Sequence, residues 1–338
     1  MYIKNYILKK KISHWLVSMF LIISIMIIIG GLTRLTDSGL SITEWQLFSG
    51  FLPPLNKFEW ENYFTLYKKI PEFKHQNFSM TLPEFKVIFW WEWIHRFLGR
   101  LIGISFLIPL IFFTINLGFK KLTKLYFIFF LICFQGFIGW YMVSSGLVER
   151  VDVSHFRLSL HLVIAFFILS LILWNYLKLL DFDTSRGKIN RYVPIVFLIL
   201  IFFQISIGAF VSGMDAGKIY NSWPLMGNNF FPDDNKFINL FDLAAFSEPS
   251  LVQFMHRNLA YLILFFYLIT LFKIYKNKKK KFFKIIKLIG LILIIQITLG
   301  IFTLIHGAQI FLSSMHQISS IFLVSSSVYF FYLNSKSN

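Results

Sequence analysis

The sequence predicts an all-α integral membrane protein in which eight membrane-spanning helices form two pseudo-symmetric four-helix bundles. The first observation is composition: of 338 residues, 57% are hydrophobic and 43 are Phe, and the mean hydropathy is +0.66. A water-soluble globule would have to expose much of this apolar surface. The second observation is a series of long apolar runs, and the third is the recurrence of short motifs in the two halves of the chain.

The apolar runs are separated by polar connections along the whole chain. A helix needs about 20 apolar residues to cross the hydrocarbon core of a bilayer. Runs of this kind lie near residues 15–33, 93–117, 122–144, 157–180, 192–213, 251–272, 283–305 and 310–333. They predict eight spans.

The connection after the first span contains two local signals. Residues 58–70 form an amphipathic stretch, which we expect to lie on the membrane surface with its aromatic side chains facing the lipid. Thr81, Pro83 and Glu84 match a capping box with proline in the first turn. The second membrane-spanning helix is therefore expected to begin well above the bilayer.

The net charge of +17 is distributed unevenly. The N-terminal segment, the C-terminal tail and every second connection hold 20 of the 33 Lys and Arg residues, whereas the other connections hold 14 of the 16 acidic residues. The positive-inside rule then places both termini in the cytoplasm. The basic residues are interpreted as topology signals beside anionic lipid, so no nucleic-acid partner is expected.

The N-terminal residues predict the type of membrane. The basic segment runs directly into an apolar stretch that is too long for a signal peptide, and no Arg- and Ser-rich transit peptide is present. We therefore expect a multi-pass protein of the bacterial inner membrane. A single cysteine, Cys133 in the third span, excludes an internal disulfide and is expected to be a small buried side chain.

The two halves of the chain repeat each other. A shift of 178 residues aligns Gly30 with Gly208, Asp37 with Asp215, Gly39 with Gly217 and Trp45 with Trp223. A shift of 161 residues aligns His95 with His256, Arg96 with Arg257, Gln135 with Gln296 and Gly139 with Gly300, and a shift of 155 aligns His161 with His316. We expect residues 1–180 and 181–338 to form one unit each. Because each unit has an even number of spans, both have the same orientation in the membrane.

Four histidines lie near the same end of four alternate spans, which the predicted topology places at the outer face. An ionisable or ligating side chain inside a span indicates function. The repeat pairs His95 with His161 in the first half and His256 with His316 in the second. Imidazole pairs can bind zinc, copper or haem. Zinc and copper sites usually recruit further ligands, and Arg96 and Arg257 suit haem propionates, so haem with two axial histidines is favoured.

One acidic residue distinguishes the two halves. Glu92 precedes His95 by three residues, so both side chains lie on nearly the same face of the helix. This carboxylate is either a catalytic acid or base, or a residue that orients the imidazole or pairs with Arg96. The equivalent residue in the second half is Gln253, which cannot exchange protons. We therefore predict chemistry in the first half and electron storage in the second.

The remaining polar candidates are weaker. His155 lies at the outer end of the fourth span, on a different face of the helix from His161. His306 lies in the short outer turn between the seventh and eighth spans, where it could cap a helix or contact a propionate group. His14 and His75 are expected to be solvated. Asp37 and Asp215 each precede a glycine by two residues, and this pattern favours a turn.

Six strings carry a family resemblance across the chain: GGLTRLTDSGLSITEW (30–45), EWIHRFLGR (92–100), SHFRLSLH (154–161), GAFVSGMDAGKIYNSWPLMG (208–227), VQFMHR (252–257) and MHQ (315–317). Together they resemble the haem A synthase family, in the branch shared by Gram-negative bacteria and mitochondria. The resemblance departs from Gram-positive members, which carry a cysteine pair in the first outer loop, because residues 34–88 contain no cysteine.

The resemblance implies a haem-dependent membrane oxidoreductase. It would oxidise a porphyrin methyl group of haem O to a formyl group by successive hydroxylations, giving haem A for terminal oxidases of the haem-copper type. It implies that His95 and His161 bind the iron of the substrate haem, that Glu92 is essential to catalysis, and that His256 and His316 bind the iron of haem b. The implied site faces the periplasm.

The implied partners are haem O synthase, oxidase assembly factors, an unidentified electron acceptor and further copies of the chain. Two other functions remain open at this stage. A di-haem b-type electron-transfer protein, such as a quinol oxidoreductase, would also use two histidine pairs, although its histidines usually lie at both depths of the membrane. A haem carrier would need no glutamate beside a ligand.

Overall fold

A computed structural model describes residues 5–45, 49–149, 151–181 and 188–335. The helices are α1 (Tyr6–Leu35), α2 (Lys57–Tyr67), α3 (Pro71–His75), α4 (Leu82–Leu117), α5 (Phe119–Glu149), α6 (His155–Leu180), α7 (Tyr192–Gly213), α8 (Pro249–Lys276), α9 (Phe283–Ile305) and α10 (Ile310–Ser335). Within the described ranges the chain forms no β-strand. Eight helices, α1 and α4 to α10, are long and apolar enough to cross a membrane. The prediction of eight spans in an all-α protein is confirmed.

Several helices extend beyond the apolar runs, because local capping interactions continue them. The side chain of Asn5 accepts a hydrogen bond from the amide of Leu8 at 3.1 Å and begins α1 ahead of the first apolar residues. The carboxylate of Glu84 accepts hydrogen bonds from the amide and hydroxyl of Thr81, both at 2.7 Å. This is the predicted capping box, and it begins α4 three turns before His95.

The membrane helices form two rings of neighbours. Helices α1, α4, α5 and α6 contact one another in sequence around a closed ring, and α7, α8, α9 and α10 do the same. The rings meet through α1, α6, α7 and α10. Buried Leu16, Phe106 and Ile172 belong to the hydrophobic cluster that runs through both rings. The boundary at residue 180 and the cytoplasmic position of the termini stay predictions.

The amphipathic stretch at residues 58–70 packs most of its aromatic side chains against protein, so the expectation that they face the lipid is wrong. Trp60, Phe64 and Tyr67 of α2 are buried against α4 in a second hydrophobic cluster. The rings of Phe64 and Tyr67 each lie 5.1 Å from the ring of Phe85. The early start of α4 supplies the apolar surface that α2 covers, and composition alone does not show this.

The expectation that Cys133 is buried is also wrong. Its side chain is exposed. We call the end of the bundle at which α4, α6, α8 and α10 begin the histidine end.

Candidate active site with two histidine pairs

One cavity of about 1190 Å³ opens within the bundle and is lined by all four predicted histidines. Residues from both rings of helices contribute to its wall. Sites for one small ligand usually enclose roughly 300 to 1000 Å³. The cavity is therefore large enough for more than one bulky group.

The structure brings together the two histidines of each predicted pair. The ring centroids of His95 and His161 are 6.5 Å apart, and those of His256 and His316 are 6.4 Å apart. A metal ion about 2 Å from the facing nitrogens of two imidazoles separates their centroids by roughly 6 Å. Each pair thus has the spacing of two axial ligands on one iron.

Each imidazole lies against a glycine of the preceding membrane helix. A Cβ atom added to that glycine would lie 2.8 to 3.1 Å from the Cε1 atom of the imidazole. The pairs are Gly30 with His95, Gly139 with His161, Gly208 with His256 and Gly300 with His316. The recurring glycines are therefore places where a ring must approach a helix backbone closely.

Glutamine side chains one turn before three of these glycines hold the histidine helices, and sequence reasoning did not assign them a role. The side-chain amides of Gln135 and Gln204 donate to the backbone carbonyls of His161 and His256 at 2.9 and 3.0 Å. The side-chain amide nitrogen of Gln296 lies 3.4 Å from Nε2 of His316, and its side-chain oxygen accepts a hydrogen bond from the hydroxyl of Ser319 on the same helix as His316. Glutamine four residues before glycine, recurring in three spans, is the sequence signal that would have found them.

Glu92 is buried and fully hydrogen-bonded. Its side chain is 3% exposed. The hydroxyl of Ser41 and the amide of Ile42 each donate to Oε2 at 2.7 Å. Arg96 donates to Oε1 from Nε at 3.0 Å and also from Nη2. Hydrogen bonds from a guanidinium and from neutral donors stabilise the negative charge of a carboxylate.

The arginines after the first histidine of each pair bind repeat-related carbonyl groups. Nη2 of Arg96 donates to the backbone carbonyl of Ile42 at 2.8 Å, and Nη2 of Arg257 donates to that of Tyr220 at 3.0 Å. Both arginines line the cavity. The Nε of Arg96 bonds Glu92, whereas the buried Nε of Arg257 has no partner in the described structure. The amide of Gln253 instead donates to the carbonyl of Tyr220 at 3.1 Å.

The donor set favours a planar iron cofactor over a simple metal ion. In the described part of the chain, no three His, Cys, Asp or Glu side chains converge on one point, as zinc and copper sites usually require. Two facing imidazoles would suit an iron whose remaining ligands come from a macrocycle, and Arg96 and Arg257 line the same cavity. The residues present therefore fit haem with two axial histidines.

The two rings of helices are joined at the histidine end by Arg34. Its guanidinium donates to the backbone carbonyl of Ser212 at 2.9 Å. Ser212 is the residue that the sequence repeat aligns with Arg34. The guanidinium also lies beside three carboxylates, those of Asp37, Asp152 and Asp215. Burial raises the pKa of Asp152, and the positive charge of Arg34 opposes this shift.

The predicted turn aspartates thus have two roles. Asp37 and Asp215 both have a left-handed backbone, with φ of 47° and 51°, so the turn prediction describes their conformation. Their carboxylates also contact Arg34. The sequence repeat shows their equivalence, but Arg34 has no counterpart in the second half, so the repeat did not reveal this contact.

The other histidines have local structural partners. The ring of His155 packs edge-on against Phe210 at 5.5 Å. Nδ1 of His306 lies 2.9 Å from the backbone carbonyl oxygen of Phe302. His14 and His75 are exposed. The cavity wall holds the four paired histidines and none of these.

Eight helices long and apolar enough to span a membrane, with two histidine pairs in a shared cavity, define a polytopic membrane protein with a buried site between its helices. In the described structure, only the pair of His95 and His161 has a carboxylate one turn from one of its imidazoles, that of Glu92. Residues 13–328 match the family model described as cytochrome oxidase assembly protein, and the chain belongs to that family.

Relatives with the name haem A synthase match almost the whole chain. One from Pelagibacter ubique is 52% identical over 335 residues, which cover 98% of both chains. One from Rickettsia bellii is 40% identical over 325 residues, covering 94% of this chain and 96% of the relative. One from Maricaulis maris is 42% identical over 318 residues, covering 93% of each.

Proposed function

We propose that this chain is an enzyme that converts haem O to haem A, which terminal oxidases of the haem-copper type require. Its family and the name of its relatives support the proposal, and the matches extend over nearly the whole length of the chain. The observation that carries it in this structure is a buried glutamate beside one of two otherwise similar histidine pairs.

We assign the two halves different tasks. The half that contains Glu92 binds haem O as substrate, with His95 and His161 at its iron. The other half binds haem b as a resident cofactor, with His256 and His316 at its iron. Gln253, which replaces the glutamate there, cannot carry a negative charge, and this difference supports electron storage in the second site.

The chain supplies ligation, position and charge, and the haem groups supply the redox chemistry. The glycines opposite the imidazoles fix how deep each ring lies. Arg96 and Arg257, which donate hydrogen bonds to loop carbonyls and line the cavity, would hold the propionate side chains of a bound haem. Their charge complements carboxylates of this kind.

Glu92 acts in this proposal as a fixed negative charge. Both of its oxygen atoms already accept two hydrogen bonds, so the side chain cannot turn freely. Positive charge that develops beside the porphyrin during oxidation of the methyl group would be stabilised by this preorganised carboxylate. Ser41, Ile42 and Arg96 hold it in place for that purpose.

We place the site on the periplasmic side of a bacterial inner membrane. The excess of Lys and Arg residues in the termini and alternate connections supports this orientation. Haem O synthase, oxidase assembly factors and an electron acceptor are partners that the reaction calls for, and we include a homo-oligomer in the proposal.

Expression in a bacterium that makes haem O but no haem A tests the function. We expect haem A among the pigments extracted from purified protein and from membranes, and no haem A with the His95→Ala variant. Haem B alone, at two per chain, would contradict the proposal and support the di-haem electron-transfer protein instead.

A further inference from the structure

A second buried carboxyl group lines the cavity, that of Glu72 in α3. Its side chain is 3% exposed. It belongs to the connection between α1 and α4, and Lys74 and His75, two and three residues further on, are exposed. Glu72 therefore lies between the cavity and the aqueous solution at the histidine end.

Only one of its two oxygen atoms is hydrogen-bonded. The hydroxyl of Tyr67 donates to Oε1 at 3.2 Å. The amide of Asn77 donates to the same oxygen at 3.4 Å and to the Tyr67 hydroxyl oxygen at 2.8 Å. Oε2 is buried and has no hydrogen-bond partner in the described structure. A buried carboxyl oxygen without a partner is costly unless it exchanges protons or binds water.

Glu72 differs in this respect from the other carboxylates of the cavity wall. Glu92 is paired with Arg96. The carboxylates of Asp37, Asp152 and Asp215 surround Arg34. Within the described residues, Glu72 alone among them has no cationic partner. A cation keeps a carboxylate ionised, so the group without one is best able to hold and release a proton.

No cation is among the described groups that act on the charge of Glu72. Tyr67 on α2 is a neutral donor, and the carboxylates of Glu92, Asp37 and Asp152 are negative. Val143 and Leu147 of α5, the helix that contacts α3, are apolar and pack against the same hydrophobic cluster as Tyr67. Burial is the largest cause that raises the pKa of Glu72 to about 8, and the three carboxylates add to it, while the hydrogen bond from Tyr67 lowers it.

We propose that Glu72 is the proton relay of the reaction: it takes up protons released at the substrate methyl group and passes them to the solution at the histidine end. The inference rests on the proposed function. Each hydroxylation replaces one C–H bond of the methyl group with a C–O bond to the oxygen of water, and it releases two protons and two electrons. The electrons pass to the electron acceptor that the proposed function includes. The carboxylate of Glu72 takes up the protons one at a time and passes each to the solution.

Rates of haem A formation at different pH values test this. Membranes from expressing cells retain their own electron acceptor and can be supplied with haem O between about pH 6 and pH 9. We expect the wild-type rate to rise with pH as Glu72 ionises. The Glu72→Gln variant should bind haem normally, lose this rise and form haem A about a hundredfold more slowly. The Glu61→Gln variant, which alters an exposed carboxylate, is the control.

A second variant separates a proton role from a structural one. Tyr67→Phe removes the hydrogen bond that stabilises ionised Glu72, so the rise in rate should move to higher pH while the maximum rate is retained. An active wild type together with an unchanged rate and pH profile in both variants would overturn the relay. If the wild type itself forms no haem A, the proposed function fails, and the relay fails with it.

Discussion

The smallest residues of the site set the position of its imidazoles. Each of four glycines faces one histidine ring at a distance that leaves no room for a side chain. Histidine in an apolar span predicts a ligand, and the repeat predicts which histidines pair. The glycines could be aligned from the sequence. Their contact with the imidazole rings could not be predicted, because it depends on how adjacent helices cross.

Gly30→Ala tests this contact. The added methyl group would lie 2.8 Å from Cε1 of His95, so the ring must move, at a cost of about 1 to 3 kcal/mol. We expect loss of haem from the first site and retention in the second, measured by pigment content and absorbance. Ile104→Ala, on the same helix as His95, truncates a side chain that is 49% exposed and lies outside the cavity wall, so this variant should bind both haems. Equal haem content in the two variants would contradict the claim that Gly30 must be small for His95 to hold its position.

The buried carboxyl group of Glu72 should make the stability of the folded protein depend on pH. Burial raises the pKa of Glu72 from its ordinary value of 4.5 to about 8 in the folded protein. Its favourable contribution to stability is therefore complete below the unfolded pKa and is lost as the pH rises through the folded pKa. Glu72→Gln should therefore become more stable relative to wild type between about pH 4.5 and 8. Thermal unfolding in detergent measures this. A constant difference across that range would show that Glu72 is already ionised in the folded protein.

At the scale of elements, the early start of α4 organises the first connection. The capping box was predicted from sequence and is present. The position of α2 was predicted wrongly, because an amphipathic helix has the same pattern whether its apolar face meets lipid or protein. The structure shows which partner is correct, because Phe85 in the first turn of α4 packs against Phe64 and Tyr67.

Phe85→Ala should detach α2 from α4. Phe85 is fully buried, and removal of such a ring costs about 3 to 5 kcal/mol. We expect a lower midpoint of thermal unfolding and faster proteolysis in the connection between α1 and α4. Phe78→Ala removes a ring that is 71% exposed and should change neither. Resistance of Phe85→Ala to proteolysis would mean that α2 is held elsewhere.

At the scale of the whole molecule, two similar rings of helices meet around Arg34, which has no equivalent arginine in the second half of the chain. Arg34 binds the carbonyl of Ser212, its repeat equivalent, and reaches carboxylates from both halves. The number of spans and the repeat follow from the sequence, because they depend on length and pattern. The joining of the halves depends on a residue that the repeat does not share, and structure was needed to find it.

Arg34→Gln should weaken the contact between the rings. The side chain is 11% exposed, and loss of charged hydrogen bonds of this kind costs about 2 kcal/mol. The midpoint of thermal unfolding in detergent should fall. Lys57→Gln, which breaks an ion pair on a side chain that is 87% exposed, should leave it unchanged. An equal effect of both substitutions would argue against a joining role for Arg34.

The most direct measurement of the central claim is the pigment content of purified Glu92→Gln protein beside that of Gln253→Glu. If chemistry belongs to the first half, Glu92→Gln keeps haem in both sites and contains haem O but no haem A, whereas Gln253→Glu still forms haem A. Haem A in the Glu92→Gln protein would contradict the account.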